Sequence, residues 1–173
     1  MAEEHIERAS EEDLPVIGRM FAECKEYLES RGILQWDEQY PNHEYFENAM
    51  QGEELFILKK GEAAAGVIVL DEWQAPEWEN ANWSETKGKP LILHSFCVDP
   101  SAQGGGYGSK MLQFAEDFAK DHSYGALRLD TYSGNEGAVR FYEKRGYKIT
   151  GKVMMNGMPE GHELYVCFEK LFL

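Results

Sequence analysis

"DPSAQGGGYGSKML", residues 99–112, is the stretch on which the fold turns. Gly104, Gly105, Gly106 and Gly108 surround Tyr107 before an apolar pattern resumes. Glycine loses more conformational freedom on folding than other residues, so a cluster this dense needs a reason. Ahead of it, "PLILHSFCV" (residues 90–98) reads as a strand. Behind it, Met111, Leu112, Ala115, Phe118 and Ala119 fall on one face of a helix predicted from Ser109 to Lys120 and ended by Gly125. A strand-to-helix corner without side chains is where backbone N–H groups and the helix dipole together favour an anion. A flexible turn accounts for glycine, but not for glycine at that junction.

Two phosphate loops fail on spacing. The Walker pattern G-x-x-x-x-G-K-[ST] is not met, because Ser109 and Lys110 follow Gly108 and Gly104 stands one residue too close. A dinucleotide fingerprint starting at Gly104 requires glycine where Ser109 stands. What does fit is Gln103-Gly104-Gly105-Gly106-Tyr107-Gly108, a Q-x-x-G-x-G pattern. A strand later comes "NEGAVRFYEKRGY", which matches N-x-x-A-x-x-F-Y-x-x-x-G-[FY] at Asn135, Ala138, Phe141, Tyr142, Gly146 and Tyr147. These two blocks, in this order, resemble the acyl-CoA-binding and following helix motifs of the GNAT superfamily of N-acetyltransferases. The match is strong from Leu91 to Tyr147 and rests on element order elsewhere.

The flanking sequence agrees with that fold. "HIERAS" is a short strand. Ser10 caps a helix in which Leu14, Ile17, Met20, Phe21, Cys24 and Leu28 share a face, with Gly32 past its end. A loop and a shorter helix follow, and then two apolar runs form a hairpin around "KKGEA". The polar segment 71–89 carries Trp73, Trp78 and Trp83 and reads either as a lid or as a surface loop pinned by its tryptophans. The order β-α-α-β-β-β-α-β-α-β-β predicts an α/β (α+β) chain, read as one domain over residues 1–173. The resemblance adds a mixed, mostly antiparallel sheet whose central parallel strands splay, flanked by helices.

Bulk composition narrows the partners. The 173 residues carry a formal net charge of −14, which argues against nucleic acid, since phosphate binding relies on clustered Lys and Arg. No apolar run approaches the ~18 residues of a membrane span, so no membrane partner is expected. Cys24, Cys97 and Cys167 are odd in number, widely spaced and without metal-ligand spacing, so the expectation is reduced thiols, no metal and a cytoplasmic location.

The resemblance implies acetyl-CoA as co-substrate, its diphosphate held by the amides of Gln103, Gly104, Gly105, Gly106, Tyr107, Gly108 and Ser109. The main chain of Phe96, Cys97 and Val98 is then expected to pair with the pantetheine arm, with the Val98 N–H polarising the thioester carbonyl. Asn135 is expected to bond the pantetheine, to cap its own helix, or both. Tyr142 aligns with the family's tyrosine facing the departing sulfur. A phenol near pKa ~10 donating to a thiolate near ~8.5 is uphill by about 2 kcal/mol, so Tyr142 reads as acid or as hydrogen-bond donor.

The base is read as His94, on the face that alternation assigns to residues 92, 94, 96 and 98. A bystander strand histidine is the competing reading, and Ile92 stands where many relatives carry a carboxylate. A covalent route through Cys97 is disfavoured by the family's direct attack. The acceptor is expected to be a primary amine, probed by Trp36, Asp37 and Tyr40, with Tyr45, Met154, Met155 and Met158 nearby in the reading, since aromatic rings and a carboxylate suit a cation. A small-molecule amine leads, a protein N-terminus or lysine and a non-catalytic acyl-CoA sensor are alternatives, and exposed edge strands leave a homodimer open.

Overall fold

The computed structural model describes residues 2–37 and 39–172. Among the described residues, eleven α-helices and β-strands run in the predicted order: β1 Glu4–Arg8, α1 Leu14–Ser30, α2 His43–Gln51, β2 Leu55–Lys60, β3 Ala63–Asp71, β4 Pro90–Val98, α3 Tyr107–Asp121, β5 Ala126–Tyr132, α4 Glu136–Lys144, β6 Lys148–Met154 and β7 Leu164–Leu171. The strands form a mostly antiparallel seven-stranded sheet in the order β1-β2-β3-β4-β5-β7-β6, flanked by helices. Its parallel ladder, β4 with β5, comprises Pro90↔Ala126, Leu91↔Leu127 and Ile92↔Arg128, and β4 then runs on to Val98.

The chain divides into two compact units. The first comprises the described residues of Met1–Gly32, Trp36–Asp71 and Leu93–Glu116. Its core joins α1 and α2 to the sheet through Ile17, Met20, Phe46, Leu55, Ile57, Val67 and Cys97. Each such side chain contributes about 1.5–3 kcal/mol when fully buried. Ser10 does not begin α1 directly: its N–H donates to Asp13 Oδ2 at 2.8 Å, forming a tight turn over Glu11–Asp13 before the helix starts. Lys59 Nζ reaches the other oxygen of Asp13 at 2.9 Å. Burial works against ionisation of Asp13, but the Ser10 amide and the Lys59 ammonium outweigh it and hold its carboxyl below the usual range.

Cysteine pairing departs from expectation. Cys24 on α1 and Cys97 on β4 are joined in a disulfide across a sequence separation of 73, while Cys167 is a buried thiol. Spacing along the chain could not reveal this, because the pair is brought together by the packing of a helix on a strand.

The second unit comprises Ile33–Gln35, Glu72–Ile92 and the described residues of Asp117–Leu173. Here the tryptophan-bearing segment is pinned. Trp78 is buried and its Nε1 donates to Asp130 Oδ2 at 2.7 Å, while Trp83 Nε1 donates to the Trp78 carbonyl at 2.9 Å. Arg128 stacks its guanidinium 4.9 Å from the Trp83 ring centroid and donates to the Ser84 carbonyl at 2.7 Å. Glu169, itself buried, accepts from the Ser84 N–H at 3.0 Å. Of the three tryptophans, Trp73 alone is strongly exposed. The segment is therefore anchored through Trp78, Trp83 and Ser84. Helix α3 ends at Asp121, one residue past the expected Lys120, and Ser123 rather than Gly125 takes the positive φ after it, at 62°. Gly125 serves a different purpose: a Cβ there would clash with the Lys87 main chain.

Candidate active site

The glycine corner is built almost entirely by backbone. Asp99 Oδ1 accepts from the Ser101 N–H at 2.8 Å, setting a turn over Pro100–Ala102, and Gln103 is extended at φ −63°, ψ 146°. Gly104 and Gly106 then adopt φ +91° and +77°, which L side chains rarely take. At Gly105 the restriction is space, since a Cβ would lie 2.6 Å from the Tyr107 ring. Helix α3 opens immediately, at Tyr107, two residues before the predicted start. Its first helical amide bond, Lys110 N–H to the Gly106 carbonyl, is 3.2 Å long. The amides ahead of it are the leading N–H groups of the helix, at the positive end of its dipole. Such donors, with no Cβ at residues 104–106, suit a diphosphate that must approach the main chain closely. The ammonium of Lys110 is paired with Glu4.

Strand β4 carries an irregularity that alternation could not predict. Ser95 has φ +50°, so His94 and Ser95 do not simply point to opposite faces. Both serve one polar cluster. His94 Nε2 lies 2.8 Å from Asp71 Oδ1, with 13% and 17% of the two side chains exposed. Ser95 Oγ and the Tyr40 hydroxyl are 2.9 Å apart, and the Tyr40 ring meets Tyr45 edge-on at 4.9 Å. Burial, then the neighbouring Tyr40, pushes the Tyr45 phenol well above its ordinary value, and it too is hydrogen-bonded to Ser95 and senses the charge of Asp71.

Beside α1 and α2 lies a cavity of about 350 Å³ lined by Phe21, Lys25, Trp36, Asp37, His43 and Phe46 among others. Trp36 stacks at a tilt on Phe21, 5.1 Å between centroids. Asp37 faces this cavity, but one carboxylate oxygen accepts from the Gln39 and Tyr40 N–H groups at 2.8 and 2.9 Å and so shapes the loop. Trp36 and Asp37 both line this cavity, whereas Tyr40 turns to Ser95. Asp71 and Ser95 were not anticipated. The one hint of Asp71 is a carboxylate ending the apolar run "AGVIVLD".

In the second unit, Asn135 Oδ1 accepts from the Ala138 N–H at 3.2 Å, capping α4, and its Nδ2 donates to Gln35 Oε1 at 3.1 Å. Tyr142 is buried against Phe141, Tyr147 and Phe168. Burial, helped by the charge of Asp130, pushes its phenol well above the ordinary value. A phenol so placed stays protonated. Of the three methionines expected near the acceptor, Met155 and Met158 pack with Trp78 and Tyr165, and Met154 is exposed. Among the described residues, no group of three or more His, Cys, Asp or Glu is placed to hold a metal ion, and no helix is long and apolar enough to cross a membrane.

Comparison with known proteins points one way. The model of the acetyltransferase (GNAT) family matches residues 19–147. The uncharacterized N-acetyltransferase YesJ of Bacillus subtilis (strain 168) is 28% identical over 144 residues, covering 81% of this chain and 79% of that protein. An acetyltransferase of the GNAT family from Streptococcus agalactiae 2603 superposes with a TM-score of 0.83 at 18% identity, covering 98% of this chain and 96% of the other. The yncA structure from Salmonella typhimurium, solved with its cofactor acetyl-CoA, has a TM-score of 0.73 at 15% identity, covering 98% and 94%.

Proposed function

We propose, from the fact that this chain belongs to the acetyltransferase (GNAT) family, that it transfers the acetyl group of acetyl-CoA to the primary amine of a small molecule by direct attack. The observation that carries the reading is the side-chain-free corner at Gly104–Gly106, opening on the N-terminus of α3. In this reading the amides of Gln103 to Ser109 hold the diphosphate, and the main chain of Phe96, Cys97 and Val98 lines the pantetheine arm. Asn135 keeps its capping role and offers its amide to that arm as well. The whole chain acts as one domain, and an edge strand is available for a homodimer.

Acetyl-CoA, when bound, supplies an acetyl group already activated as a thioester. The chain's own residues do the rest. The Val98 N–H polarises the carbonyl. His94 takes the proton of the acceptor ammonium, a role its contact with Asp71 supports. Tyr142, kept as a phenol by its burial, donates a hydrogen bond to the departing sulfur. The cavity beside Trp36 suits the apolar body of the acceptor, with Asp37 on its rim attracting a cation.

The test is free-thiol release from acetyl-CoA with a panel of 2-phenylethylamine, 1,4-diaminobutane and a peptide with a free N-terminal alanine. The expected outcome is turnover with a small amine, 2-phenylethylamine fastest. Turnover with the peptide alone overturns the acceptor class, and tight coenzyme A binding without thiol release on any of them overturns the enzyme reading in favour of a sensor.

A further inference from the structure

We infer that Asp71 is the positioning residue for His94: it holds Nε2–H, so that the neutral imidazole carries its lone pair on Nδ1 and accepts the ammonium proton there. This deepens, and rests on, the reading of His94 as the base. The geometry begins with the 2.8 Å contact between His94 Nε2 and Asp71 Oδ1, in a place where both side chains are largely removed from water. An ionised carboxylate accepts hydrogen bonds and cannot donate one, so the nitrogen facing it carries the proton. In a neutral ring the other nitrogen then bears the lone pair. When Nδ1 takes a proton the imidazolium gains a carboxylate neighbour at Nε2, which stabilises the charged ring at the moment it forms.

Three features fix this pair in place. Asp71 is the last residue of β3, the strand adjacent to β4 in the sheet, so its backbone is held by the sheet itself. The left-handed turn at Ser95 immediately follows His94 and brings two successive side chains to one cluster. Tyr45, bonded to Ser95, walls that cluster with a half-buried side chain and is joined there by Tyr40. The step balances: one N–H bond of the ammonium breaks as one Nδ1–H bond forms, the freed electron pair attacks the thioester carbon, the C–S bond breaks, and the amine's second proton passes to the departing thiolate. The proton passes from Nδ1 to solvent once the product has formed.

The experiment compares the intact enzyme with Asp71→Asn, Asp71→Glu and His94→Gln. The ring-nitrogen signals of His94 are read by ¹⁵N NMR on the enzyme without acceptor, and kcat and KM are measured with the fastest acceptor of the panel above. The intact enzyme is expected to show the Nε2–H form. Asp71→Asn, whose amide can also donate, is expected to move the ring toward Nδ1–H and to lower kcat about tenfold or more, with KM for acetyl-CoA unchanged. Asp71→Glu restores part of the loss. His94→Gln lowers kcat about 10²-fold or more. A His94→Gln enzyme with full kcat overturns the base reading. Persistence of Nε2–H in Asp71→Asn with kcat unchanged overturns the role of Asp71 and leaves the base reading standing, and thermal melting of each variant separates either result from a failure to fold.

Discussion

The glycine corner and the cluster around His94 lie in the same unit, yet they are made in opposite ways. The corner is one contiguous run, residues 99–110, and what it presents is backbone amides. The cluster draws Tyr40, Tyr45, Asp71, His94 and Ser95 from separate parts of the chain, and what it presents is side chains. The lesson is that backbone chemistry is written locally, in the residues that permit a conformation. Side-chain chemistry is written in distances that exist only after packing.

The sharpest way to break this contrast is at Gly104. Valine there forces a β-branched residue to φ +91° with nothing nearby to clash, so the cost is conformational, about 1–2 kcal/mol. The predicted result is a roughly tenfold rise in KM for acetyl-CoA, with the acceptor KM unchanged. Steady-state kinetics with each substrate varied decides it, and an unchanged KM for acetyl-CoA removes the corner from the site.

Tyr142→Phe sharpens the contrast from the side-chain face. Loss of one hydrogen bond to a developing thiolate predicts a fall in kcat of about tenfold. Because burial holds the phenol well above its ordinary pKa, that ratio is expected to be the same from pH 6 to pH 9. A ratio that changes across this range would mean the hydroxyl ionises there, against the burial argument.

The smallest effect concerns stability rather than turnover. Asp13 has a carboxyl held below its usual range by Ser10 and Lys59, so its contribution is present above the unfolded pKa and fades as pH falls through the folded one. Asp13→Asn, which removes the charge facing Lys59, is expected to cost about 1 kcal/mol at pH 7. Urea midpoints at pH 7 and pH 3 should show that gap closing in acid, with kinetics at pH 7 untouched. A gap of the same size at both pH values contradicts the ionic origin.

Much of the fold was legible because its signals are local. Apolar periodicity places α1 and α3, and the alternating and continuous runs place the strands in their observed order. Gly32 and Gly146 end their helices with φ of 76° and 85°, as turn chemistry predicts. Where reading along the chain failed, a distant partner had intervened. Ser123, not Gly125, takes the left-handed turn after α3, because Gly125 is reserved for the close approach of Lys87. For Trp78 and Trp83 the sequence left lid and anchored loop both open, and only the fold shows Asp130, Arg128 and Glu169 holding their segment.

By itself, then, the amino-acid order determined the glycine corner, the helix that opens from it, and through the paired motifs the family to which the chain belongs. Backbone torsions depend on neighbours one or two residues away, and those are printed in order. Only the tertiary structure decided that Asp71 would face His94, that Ser95 would bend the strand beside them, and that Cys24 would meet Cys97. Each of these joins or redirects groups whose meeting depends on how helices and strands pack, and packing follows from the summed burial of many side chains rather than from any one stretch of sequence.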